Sequence, residues 1–155
     1  MREILFRGKR KDNGEWVEGY LYEHEPPLQC IVSKDYIPEP SRWYIIKTAF
    51  ADWNMPRQVE FIEIDPDTVG QFTGLLDKNG KRIFEGDILG SHYDDLYPDD
   101  VTVEMVEWFR NGWHIREAGD HDPDLLEEEG TLPYSEIIGN IHDNPELLEG
   151  GGSDG

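Results

Sequence analysis

Cysteine is almost missing from this chain: Cys30 stands alone among 155 residues. An internal disulfide is excluded, a zinc site built on thiolates cannot be assembled, and a reducing compartment is the natural setting. Long apolar runs are missing too. No stretch approaches the roughly 20 apolar residues of a membrane-spanning helix, and the opening MREILFRGKRKDNG lacks the apolar segment of a secretory leader. The expectation is a soluble cytoplasmic protein with no membrane association.

Positive charge is scarce. Fourteen Lys and Arg face thirty-four Asp and Glu, a formal net charge of -20. That balance repels a phosphate backbone and disfavours direct nucleic-acid binding. Arg2, Arg7, Lys9, Arg10 and Lys11 do cluster near the start, but around a hairpin, where a solvated edge is the plain reading. The five histidines, His24, His92, His114, His121 and His142, are scattered, with no pair at metal-binding helical spacing. Gly150-Gly151-Gly152 lacks the Lys-Ser/Thr of a phosphate-binding loop. The sequence calls for no cofactor and no metal.

What the chain does have is large side chains and turn signals. With 37% hydrophobic and 12% aromatic residues it can bury a core. Helical periodicity is absent from His24 to Ile64. Glu3 to Arg7 and Trp16 to Tyr22 flank Asp12-Asn13-Gly14, a hairpin with Trp16, Glu18, Tyr20 and Tyr22 on one face and Val17, Gly19 and Leu21 on the other. Further strands are expected at Cys30 to Val32, Trp43 to Phe50, and Val59 to Ile64, the last stopping at Asp65-Pro66. Thr68 to Phe72 reads as a short strand or a turn of helix. Asn79-Gly80 marks a tight turn, Ile88-Leu89 opens a strand, and Val101 to Phe109 pairs with Trp113 to Glu117 across Asn111-Gly112. Asp120 to Gly130 reads as an exposed loop or a short helix after Pro123, and Tyr134 to Ile141 as a strand, followed by one capped turn at Asn144-Pro145. The fold class is mainly β: short antiparallel strands and hairpins in one or two small barrel-like lobes, with little helix. The domain is 1–149, divisible into lobes 1–66 and 67–149, with a flexible tail at 150–155.

Two acidic groupings invite a functional reading. Thr73, Gly74, Leu75, Asp77, Gly80, Glu85, Gly86 and Asp87 form a dense central block, in which Asp77, Glu85 and Asp87 are the carboxylates a metal-dependent hydrolase would need. The structural reading is stronger: Gly80 and Gly86 supply positive φ, Asp77 and Asp87 bond turn amides, and Leu75, Ile83, Phe84 and Ile88 fill a core. Asp94, Asp95, Asp99 and Asp100, with Asp122, Asp124, Glu127, Glu128 and Glu129, make a second, looser group that either solvates the surface or engages a basic protein by imitating nucleic-acid charge. The tryptophans Trp16, Trp43, Trp108 and Trp113 read as core or interface residues and Trp53 as the exposed one.

The opening REILFRGKR, the central QFTGLLDKNGKRIFEGDIL and the closing EIIGNIHDNPELL, which carries Gly139 and Asn140, together resemble the YopX family of phage and prophage proteins. The resemblance implies a β-rich fold, a phage-related origin, residence in the host cell, and no established enzymatic activity. The stretch after the central block is also similar in outline to a small SH3-type barrel. The functional expectation is a non-enzymatic accessory protein that binds a protein partner, with self-association through β edges and aromatics open as well.

Overall fold

The computed structural model describes residues 1–27, 33–49, 52–94, 96–97, 99–129 and 131–149. The strand expected at Cys30 to Val32, Asp95, and the tail 150–155 lie outside these. The chain forms two compact units, Ile4–Val69 and Met1–Glu3 with Gly70–Gly155.

In the first unit β1 (Phe6–Arg10), β2 (Trp16–His24), β3 (Arg42–Thr48) and the first half of β4 (Val59–Leu76) pair antiparallel in that order. Alternation decides the faces. Val17, Ile45, Ile62 and Ile64 turn inward and are buried, and Phe6, Leu21, Trp43 and Val69 pack around them. Burying each such side chain stabilises the unit by about 1.5–3 kcal/mol. Tyr20, Tyr22, Tyr44, Ile46 and Phe61 turn to the opposite face. The hairpin turn lies where Asp12-Asn13-Gly14 places it, with Gly14 at φ 73° and its N–H donating to the Arg10 carbonyl at 2.9 Å. β1 is displaced from its expected position at Glu3 to Arg7, because the bond from the Arg10 N–H to the Glu15 carbonyl carries pairing to the end of the basic run.

β4 does not stop at Asp65-Pro66. It runs 18 residues and absorbs the separate element expected at Thr68 to Phe72. Pro66 removes one donor, and the Thr68 hydroxyl compensates locally: it donates to the Asp65 carbonyl at 2.7 Å and accepts the Lys9 N–H at 2.8 Å.

In the second unit the end of β4 pairs with β5 (Arg82–Phe84). A five-stranded antiparallel sheet follows in the order β10 (Ser135–Asn140), β6 (Asp87–Ser91), β7 (Thr102–Phe109), β8 (Gly112–Glu117), β9 (Asp124–Leu125). Ile83, Leu89, Val106, Ile115, Leu126 and Leu132 form its core, with Leu75, Trp113 and Ile137 against it. The hairpin at Asn111-Gly112 pairs Phe109 with Gly112, so the turn is centred on Arg110 and Asn111 and the positive φ, 57°, falls on Arg110. Asp120 to Glu129 forms no helix. Leu126 buries its side chain and donates its N–H to the Trp113 carbonyl, which holds Asp124 and Leu125 beside β8. Helix among the described residues is limited to a 3-10 turn at Leu132–Tyr134 and α1 (Glu146–Glu149).

The fold is mainly β, as the turn-separated alternation implies, with half its residues in strands. The strands form two antiparallel sheets, the first curled by an added pairing of β1 with β4, with no closed barrel among the described residues. No helix among them is long and apolar enough to cross a membrane.

Candidate functional site

The central acidic block is a structural lock. Asp77 is 5% exposed, and its carboxylate accepts three backbone N–H groups, from Asn79 at 2.8 Å, Lys81 at 2.9 Å and Ile137 at 3.1 Å. Asp87, 1% exposed, accepts the Phe84 N–H at 2.8 Å. The Thr73 hydroxyl donates to the Ile83 carbonyl and accepts the Leu75 N–H. Gly74, Gly80 and Gly86 have φ of 88°, 78° and 84°. Glu85 holds β4 through its N–H to the Gln71 carbonyl. The closing block seats on this one: the Ile141 N–H donates to the Gly86 carbonyl at 2.9 Å, and Asn140 pairs with Asp87. The Asn140 side-chain oxygen accepts the N–H groups of His142 and Asp143, forming the turn that follows. Gly139 lies against Asn144 so closely that a Cβ would stand 2.6 Å from its Oδ1. The Asp77 carboxylate, with both oxygens taken up by backbone donors, is a poor ligand for a metal or a reacting proton.

Sequence reasoning missed Glu104. It sits on β7, 7% exposed, at one wall of a cleft of about 540 Å³ that Tyr93, Asp124, Leu125, Glu127 and Thr131 also line. Burial pushes its carboxyl above the ordinary value, hydrogen bonds from Tyr93 and Ser91 oppose the shift, and the charges of Glu117 and Asp124 add to it. Burial also raises the Tyr93 phenol, which keeps its proton. Hydrogen counting agrees with the direction for Glu104. Four contacts link the group: Ser91 to Glu104 at 2.9 Å, Tyr93 to Glu104 at 2.8 Å, Ser91 to Ser135 at 2.7 Å, and Ser135 to the Thr131 carbonyl at 2.8 Å. Three hydroxyls supply only three hydrogens. A protonated Glu104 supplies the fourth, and the chain Glu104 to Ser91 to Ser135 to Thr131 is then complete. The only sequence signal for it was a carboxylate at an inward position of an alternating strand, opposite Glu117.

The loose acidic group stays loose. Asp94 bonds the Leu96 N–H within its own turn, and Asp99, Asp100, Asp122, Asp124, Glu127, Glu128 and Glu129 are exposed. Asp124 and Glu127 reach the cleft of Glu104. Among the described residues no three His, Cys, Asp or Glu side chains converge as a metal set.

The outer face of the first sheet is a second candidate. Register places Tyr20, Ile46 and Phe61 in one cross-strand row and Tyr22, Tyr44 and Glu63 in the next. Tyr22, Tyr44 and Phe61 lie with ring centroids 6.1–6.4 Å apart, Phe61 edge-on to both tyrosines. On the same face Arg7 and Lys9 stand over the Trp16 ring at 4.7 and 5.5 Å. The expected placement of the tryptophans holds for Trp43 and Trp113, which pack on the two cores, and for Trp53, which is 95% exposed. Trp108 is half-exposed and meets Trp113 edge-on at 4.8 Å.

The family model described as YopX protein matches residues 5–149. Among solved structures, protein EF1440 from Enterococcus faecalis is similar, at 25% identity and a TM-score of 0.53, covering 96% of this chain and 99% of that one. No curated protein matches the chain.

Proposed function

The chain belongs to the YopX family, and from that membership we propose that it is a non-enzymatic phage accessory protein acting in the host cytoplasm, whose second unit binds a basic protein segment. The cleft at Glu104 carries this reading. It combines carboxyl groups from Glu104, Asp124 and Glu127 with apolar wall from Ile115, Pro123 and Leu125, which suits a Lys or Arg side chain and its methylene stem. The second unit holds twenty-two acidic side chains against six basic ones, so its field speeds encounter with a cationic surface. An entering cation favours ionised Glu104 and so works against the burial that holds its carboxyl above the ordinary value. A non-enzymatic role is supported by the use of Asp77 as acceptor of three backbone N–H groups, which takes from a hydrolase one of the carboxylates it would need.

The test is titration of a fluorescent oligolysine, with cleft variant Glu104→Gln/Asp124→Asn/Glu127→Gln compared with Glu136→Gln/Glu146→Gln/Glu149→Gln, which removes the same charge elsewhere. The cleft variant loses at least tenfold in affinity and the control does not. Equal losses in the two variants would reduce the surface to unspecific acidity, and hydrolysis of a nucleotide by the native protein that Asp87→Asn abolished without unfolding would replace the reading with an enzymatic one.

A further inference from the structure

Charge alone does not separate arginine from lysine; shape, hydration and stacking do. The charges that face the cleft at Glu104 are of one sign. Glu104, Asp124 and Glu127 line it, Glu117 adds its field at Glu104, and none of the described lining residues is Lys, Arg or His. The acceptors are spread along the walls, on β7 and on the segment through β9, and no three converge on one point. Both hydrogen bonds of the Glu104 carboxyl, with Ser91 and with Tyr93, fall on Oε2. Oε1 has no partner among the described residues and is not sealed from solvent, so it is the oxygen offered to the cleft.

Tyr93 supplies the aromatic part of the wall. It is 45% exposed and borders the cleft. Its hydroxyl is tied to Glu104 at 2.8 Å, and the Tyr134 ring lies beside it, with centroids 6.0 Å apart and planes tilted by 53°. A ring held at its tip and along its flank loses little freedom when a ligand stacks on it. A guanidinium can lie on such a ring and extend its N–H groups in one plane toward acceptors that stand apart, whereas an ammonium gathers its donors at a point. Burial already raises the Glu104 carboxyl, the mark of a place where charge is poorly hydrated, and the more strongly hydrated ammonium loses more on entering it. Ile115, Pro123 and Leu125 receive the methylene stem of either side chain, so the apolar wall does not discriminate.

On the footing that the cleft binds a basic segment, we infer that it selects arginine over lysine and that Tyr93 is the residue that selects, its ring stacking on the guanidinium while Glu104 Oε1, Asp124 and Glu127 accept the N–H groups.

Fluorescence anisotropy of labelled hexaarginine and hexalysine with the full chain at pH 7 tests the inference. Hexaarginine binds about fivefold or more tightly than hexalysine. Tyr93→Leu lowers that ratio by about threefold or more, and Tyr93→Phe, which keeps the ring beside Tyr134, retains it. Tyr97→Leu, which removes an exposed ring near Asp99 and Asp100 in the same unit, leaves the ratio as in the native chain. In proton NMR the Hδ signals of bound hexaarginine move upfield with the native chain and not with Tyr93→Leu, a response that a merely structural role for Tyr93 does not give. Circular dichroism and the melting temperature show each variant folded. Equal affinities of the native chain for the two peptides overturn the inference and leave the cleft as a general cation site, provided Glu104→Gln/Asp124→Asn/Glu127→Gln weakens both. A ratio unchanged in Tyr93→Leu, or lost in Tyr93→Phe, overturns it too, because the ring is then not what selects. A cleft variant that binds both peptides as the native chain does removes the cleft as the binding site, and the inference with it.

Discussion

The Asp77 carboxylate accepts the backbone N–H of Ile137 at 3.1 Å across sixty residues of sequence. With the bonds to Asn79 and Lys81 it ties a tight turn to the first residues of β10. Asp77→Ala leaves three amide donors without their acceptor in a buried place and costs about 3 kcal/mol. Urea unfolding at pH 7 measures it. Asp77→Asn keeps one acceptor oxygen and loses less.

Glu104 makes stability pH-dependent with a sign that can be worked out. Its folded pKa lies above the ordinary 4.5, so the folded state holds the proton more tightly than the unfolded chain. The stability this confers is full below about 4.5 and is lost as pH rises through the folded value. Glu104→Gln, which donates in place of the carboxyl proton, removes that decline. The difference in melting temperature between native protein and variant, followed from pH 4 to 8, therefore shifts in favour of the variant as pH rises. A difference independent of pH would show that Glu104 is ionised in the fold.

Arg110 takes φ 57° at the β7–β8 turn, where a side chain costs about 1 kcal/mol or more. Arg110→Gly therefore stabilises the protein by up to about 1 kcal/mol once the greater chain entropy of glycine is set against that cost. Calorimetry should show a melting temperature higher by about 2–4 °C.

Gly139→Ala drives a Cβ to 2.6 Å from Asn144 Oδ1 and 2.9 Å from its Cβ and Cγ. Asn144 must move, and its contact with the Asn140 N–H goes with it. The cost is about 2 kcal/mol or more. In Gly139→Ala/Asn144→Gly most of it is relieved, so a double-mutant cycle in urea returns a coupling well away from zero.

The strands that could be read from the sequence were those whose instructions are local. Asp12-Asn13-Gly14 and Asn79-Gly80 specify their turns, and strict alternation in β2, β3 and β7 assigns inner and outer faces. Val59 to Leu76 was misread as two pieces because Pro66 is a local stop signal, while the Thr68 hydroxyl that bridges it to Lys9 is a contact across 59 residues. Asp120 to Glu129 carried helix signals that lost to the burial of Leu126. At the candidate sites, the structural reading of Asp77 and Gly86 followed from turn chemistry. Glu104 was invisible because the burial that raises its carboxyl, and its contacts with Ser91 and Tyr93, exist only once the sheet has formed. The aromatic face was half visible: Tyr20 and Tyr22 shared a face in the sequence, but Tyr44 and Phe61 join them only through the register of β3 and β4.

Synthesis proceeds from the amino end, and the second unit is closed by its last strand. The partners of Asp77 at Ile137, of Gly86 at Ile141 and of Ser91 at Ser135 all arrive in the final portion of the chain. The first unit is contained within Ile4–Val69. During synthesis the acidic sheet therefore stays without its edge strand until the end, and a chain cut short before Ser135 would lack every one of these contacts.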